Sequence, residues 1–157
     1  MLEASNSGRG FSHWLSIFAN LAVVGGIIFL GVEIRQNSKM MKAQIRSDLA
    51  QSVIAQIEIG MRPEVAAAQI RQANGEDALP EDQYFLDLYV RALLRGWENS
   101  FYQYRMDLFD RAEYEADLRV LEAVMQTALY INFWDRYGGQ FSDEFQQTVE
   151  GLKPDLR

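Results

Sequence analysis

Trp14–Val32 reads WLSIFANLAVVGGIIFLGV, nineteen residues without a charge. As a helix it spans ~28 Å at ~1.5 Å per residue, close to the ~30 Å hydrocarbon thickness of a bilayer. The uncharged stretch extends back to Gly10, so 23 residues carry no Asp, Glu, Lys or Arg. Trp14 stands at one end, where an indole lies at headgroup level, and Glu33 and Arg35 end the run at the other. A cleaved signal peptide would have only Arg9 as its basic region and no A-x-A-like site after the run. A buried core helix would need a polar face or a larger protein around it. The expectation is one transmembrane helix over 12–32, preceded by a short extracytoplasmic tail, 1–11.

The flanks give its orientation. Arg9 precedes the segment, whereas Arg35, Lys39, Lys42 and Arg46 follow it. By the positive-inside rule the C-terminal part faces the cytoplasm. Trp14 and these four basic residues are expected at the membrane surface. Residues 33–62 carry five basic and three acidic side chains, net +2, and residues 63–157 nine basic and eighteen acidic, net −9. Anionic lipid attracts the first segment. The plainer account is that its basic residues fix topology while the acids keep the rest soluble.

Ala22 and Gly26 lie four apart with Gly25 beside them, and Ser12, Ser16 and Asn20 repeat the same spacing. Small residues let helices approach closely in lipid, and an amide there can bond across an interface. Gly and Ser are also simply common in such helices. Asn20 favours association, because an unpaired amide in hydrocarbon costs free energy.

Helical patterning continues beyond the membrane. Met41, Ile45, Leu49, Val53 and Ile57 recur every four residues, so one helix is expected from about Ser12 to Ile59, its part over 33–61 continuing the anchor. Gly60 and Pro63 end it and begin a short helix to about Gln72, followed by a loop with an Asn-Gly turn signal. Pro80, Glu81 and Asp82 open a third helix with an apolar stripe from Leu86 to Leu108, joined by Phe85, Leu88, Tyr89 and Leu94. So much apolar circumference predicts a central position. Asp110 with Glu113 reads as a capping box for a fourth helix that runs on as far as Trp134 or Tyr137, until Gly138-Gly139. Ser142 caps a last helix with Phe145, Val149 and Leu152 on its buried edge, closed by Pro154. The expected fold is all-α: a single N-terminal transmembrane helix, then a cytoplasmic bundle of about four helices over 62–157.

Three stretches together, WLSIFANLAVVGGIIFLGVEIRQNSKMMKAQ (Trp14–Gln44), WENSFYQYRMDLFDRAEYEADL (Trp97–Leu118) and FWDRYGGQFSDEFQQTV (Phe133–Val149), resemble a family of short, uncharacterised bacterial proteins with one N-terminal membrane helix. The resemblance implies this architecture and a bacterial inner (cytoplasmic) membrane location. It implies no activity.

Composition narrows the chemistry. The chain has 157 residues, 48% apolar and 24% charged, with 15 Lys+Arg against 22 Asp+Glu, net −7. That is the wrong sign for a nucleic-acid partner. With no Cys and one His, at position 13, thiolate and multi-histidine metal sites are not expected, nor are cysteine nucleophiles. No phosphate-binding glycine motif occurs, and Ser100 has no His to activate it. No catalytic residue, cofactor or metal is therefore expected.

The densest polar set is Arg91, Arg95, Glu98, Asn99, Tyr102, Tyr104 and Arg105 on the third helix. Glu98 and Arg105 are two turns apart and share a face. The set reads first as a network tying that helix to its neighbours, and second as a pocket for a small polar ligand. Trp97 and Trp134 read as core anchors. The expected function is non-enzymatic: an anchored interaction or scaffold protein in the lipid bilayer, a homo-oligomer or docked on another membrane protein. The alternative is an anchored sensor using the Glu98–Arg105 region.

Overall fold

A computed structural model of the protein describes residues 7–153. They form six α-helices: α1 Ser7–Gly60, α2 Pro63–Ala73, α3 Pro80–Arg105, α4 Arg111–Val124, α5 Ala128–Tyr137 and α6 Asp143–Glu150. A 3-10 turn, Gly138–Gln140, joins the last two, and no strand occurs among the described residues. The protein is all-α. Residues 1–6 of the expected tail, the close at Pro154 and the side chains of Arg9 and Ser12 lie outside the described residues.

Helix α1 is described from Ser7, five residues before the expected start, even though Gly8 and Gly10 lie in that stretch. It contains the one helix segment, among the described residues, long and apolar enough to cross a membrane. The chain divides into two units, residues 1–41 and 42–157, so the compact second unit includes the last part of α1. In the first unit Leu15, Phe18, Leu21, Val23, Val24, Ile27, Ile28, Phe29 and Leu30 are all exposed.

The second unit has a dry core. Val90 and Leu94 of α3, Leu121 of α4, Phe133 of α5, Phe145 and Val149 of α6, and Met125 are at most 1% exposed. Leu93, Trp97, Phe101, Leu118 and Leu152 pack around them. Trp134 stacks on Phe141, ring centroids 5.2 Å apart, and its indole N–H donates to Glu150 Oε1 at 2.6 Å. Helix α3 packs against α2, α4 and α5 and is central, but it is not buried all round: Tyr84, Leu88 and Tyr102 face solvent.

Three further expectations are corrected. First, α3 stops at Arg105, short of Leu108. Asp107 adopts φ 58°, Leu108 N–H donates to the Gln103 carbonyl at 3.0 Å, and Asp107 N–H to Tyr104 at 3.0 Å. This is a Schellman closure with Asp in the left-handed position usually held by Gly. Secondly, the fourth helix is two. Thr127 takes up extended backbone, and its hydroxyl donates to the Val124 carbonyl at 2.7 Å, capping a group that would otherwise bond the next turn. The second unit therefore holds five helices after α1, not four. Thirdly, the Asp110–Glu113 capping box is not made, because the Glu113 carboxylate pairs with Arg46 of α1 instead.

Helix α2 is fastened to the start of α3 by Arg71. Its Nε donates to Asp82 Oδ2 at 2.7 Å, and its Nη2 pairs with Oδ1. Asp82 also accepts the Leu79 N–H at 3.0 Å. The Arg71 hydrogen bond is the main force holding the Asp82 carboxyl below its ordinary range, with the Leu79 amide adding to it. Arg136 of α5 makes a bidentate bridge to Asp87 of α3 at 2.8 and 2.9 Å.

Candidate functional site

Within α1, Ser16, Asn20, Ala22, Gly25 and Gly26 are all exposed, and a Cβ added at Gly25 or Gly26 would meet nothing within 4 Å. The helix does not bring them to one face. At ~100° per residue, Asn20 and Ala22 lie about 200° apart. Ser16–Asn20 and Ala22–Gly26 are thus two lines on opposite sides, where one continuous line was expected. Of the membrane-surface set, Trp14, Arg35, Lys39, Lys42 and Arg46 are all exposed, and Arg46 is also ion-paired to Glu113.

The polar set of α3 is split among three tasks. Glu98 accepts the Ser142 N–H at 2.7 Å and pairs with Arg95. Arg95 also donates to the Gln140 carbonyl at 2.8 Å and lies 4.4 Å from the Phe141 ring centroid. Together they clamp the turn that leads into α6. Burial pushes the Glu98 carboxyl up, but the Ser142 amide and Arg95 outweigh it and hold it below the ordinary range. Arg91 takes no part. Its guanidinium lies 5.1 Å from the Tyr137 ring centroid and 5.8 Å from that of Phe133. Tyr104 stacks on Tyr114 at 4.2 Å, and Arg105 pairs with Glu144 at 3.1 Å. Asn99 and Tyr102 face solvent, where they border a cleft of about 510 Å³ with Glu98 and Arg105. Its carboxylates and guanidinium groups already satisfy one another, so the cleft offers a ligand little unspent charge.

A second concavity, not anticipated from the sequence, lies inside the second unit between α1, α3 and α4. Two close approaches bring α1 to α3. Gln56 Nε2 donates to the Ala92 carbonyl at 3.4 Å and sits 2.1 Å from where a Cβ on Gly96 would fall. A Cβ on Gly60 would come within 3.0 Å of the Tyr89 ring. A Cβ at Gly96 would displace the Gln56 amide, the far end of a flexible side chain, from its place against α3. Toward Arg46, a groove of about 440 Å³ opens, bounded by the Arg46–Glu113 ion pair. Leu49, Val53, Leu93 and Trp97 supply apolar wall, while Ser100 and Asp117 supply polar groups. The expected Met41–Ile57 stripe supplies one side of this groove. Met41, Val53 and Ile57 remain about half exposed, however, so the stripe is not the buried seam of a bundle. Periodicity marked the α1 wall, but nothing local in the sequence pairs it with Trp97, Ser100 or Asp117.

No group of three or more His, Cys, Asp or Glu among the described residues is placed to hold a metal ion. No family model, curated protein or solved structure matches the chain.

Proposed function

We propose that this chain is a membrane-anchored, non-enzymatic interaction protein, self-associating or docked on another membrane protein through α1. The observation that carries the reading is the apolar run of α1, whose large side chains from Leu15 to Leu30 are exposed. Contiguous exposed apolar surface of this extent marks a membrane or protein contact. Moving the nine large side chains from Leu15 to Leu30 into hydrocarbon gains ~1.5–3 kcal/mol each, more in total than the ~2–7 kcal/mol cost of one unpaired Asn20 amide. Asn20 then supplies a reason for a partner helix, since a partner's polar group would remove that cost.

The membrane is a bacterial cytoplasmic one, with Arg35, Lys39 and Lys42 on the cytoplasmic side, and the second unit is cytoplasmic. Arg46, whose side chain is largely exposed, belongs to the same basic set and also pairs with Glu113. The opposed placement of Asn20 and Gly26 allows two different helix contacts. The test is membrane fractionation of the full chain, with native mass in mild detergent for the wild type, Gly26→Leu and Asn20→Leu. The proposal expects the wild type to resist alkaline extraction and at least one variant to lose assembly mass. Release of the wild type by alkali would contradict anchoring; unchanged mass in both variants would contradict helix association.

A further inference from the structure

The groove between α1, α3 and α4 points to a binding site for an apolar organic cation. In our assignment its ammonium pairs with Asp117, and its hydrocarbon or aryl body lies against Leu49, Val53, Leu93 and Trp97. This goes beyond the membrane-anchored reading and does not depend on it. About 440 Å³ is the size of a small-molecule site, which typically spans ~300–1,000 Å³. The walls are apolar and aromatic, and Val53 and Ile57 are left half exposed by the chain itself.

Charge selects the occupant. Three charged side chains border the groove, and Arg46 and Glu113 satisfy each other. Asp117 is half-buried and has no ion-pair partner among the described residues. The unspent charge is therefore negative, with no free base to receive a carboxylate or phosphate. Ser100 is 6% exposed and lines the same groove with its hydroxyl-bearing side chain. That hydroxyl is one of the polar groups of the wall and can accept a hydrogen bond from a ligand N–H.

The test uses the full chain in lipid nanodiscs, titrated calorimetrically with octylamine, octanol and octanoate against empty nanodiscs. Octylamine is expected to bind at one saturable site, roughly tenfold more tightly than octanol, with octanoate weakest. Asp117→Asn should erase the preference for the amine while leaving octanol binding intact. Val53→Trp, at a half-exposed position, should fill the groove and abolish both, and helical circular dichroism checks that each variant folds. No uptake beyond empty discs, equal binding of amine and octanoate, or an unaltered preference in Asp117→Asn would each overturn the assignment. So would exclusive binding of a lysine-bearing apolar helical peptide, which would make the groove a protein-docking site. If the chain proves not to be membrane-bound, the titration is read in buffer, so failure of the anchor and failure of the groove are seen separately.

Discussion

Asp107 holds a backbone conformation, φ 58°, that L-residues adopt at a cost of ~1–2 kcal/mol. Asp tolerates it better than most side chains, and the closure of α3 depends on it. Asp107→Val should lower unfolding free energy by ~1–2 kcal/mol, while Asp107→Gly should match or exceed the wild type, both measured by urea unfolding. The Asn-Gly turn was legible in the sequence, and Gly75 indeed holds φ 69°. The turn after α3 was not, since Asp107 looks like any helix-surface acid. Glu98 is a second single-residue case. Its carboxyl titrates lower in the folded chain than in the unfolded one, so the unfolded state binds the proton first as pH falls. The stability it lends is present at neutral pH and is lost as pH drops below the ordinary carboxylate range through its lowered value. Glu98→Gln should therefore be less stable at neutral pH and lose less on acidification, checked by urea midpoints across that range.

At the level of elements, the break between α4 and α5 shapes the core. It sets Phe133 and Trp134 beside Val90, Leu94 and Phe145. Phe133→Ala should cost ~3–5 kcal/mol, because a fully buried ring is removed from a site closed on several sides. A thermal melt that stays cooperative at unchanged midpoint would contradict that packing. The starts of α2, α3 and α6 were readable from Pro63, Pro80 and Ser142. The α4/α5 break was not, because no Gly or Pro lies between Val124 and Ala128 and only Thr127 marks it. Capping signals also misled where tertiary partners competed. Glu113 goes to Arg46, and Ser142 offers its backbone N–H to Glu98 while its side chain caps nothing. The polar set of α3 was legible as a cluster, but its division between the Glu98–Arg95 clamp and the Arg91 ring stack depends on α5 and the turn after it. The α1 groove was half legible for the same reason: a four-residue stripe identifies one wall and is silent about the opposite one.

At the scale of the whole molecule, the all-α architecture and the apolar run of α1 follow from sequence pattern alone, since both rest on local periodicity and length. Function does not follow in that way, because it depends on what covers surfaces the chain leaves open. The anchored-interaction account is tested most directly by isolating the tagged full chain from its native membranes in mild detergent and measuring native mass with subunit identification. The account predicts a membrane-derived assembly heavier than the 18.0 kDa chain, either several copies or a stoichiometric second membrane protein. Recovery from the soluble fraction, or a bare 18.0 kDa monomer in detergent, would contradict it.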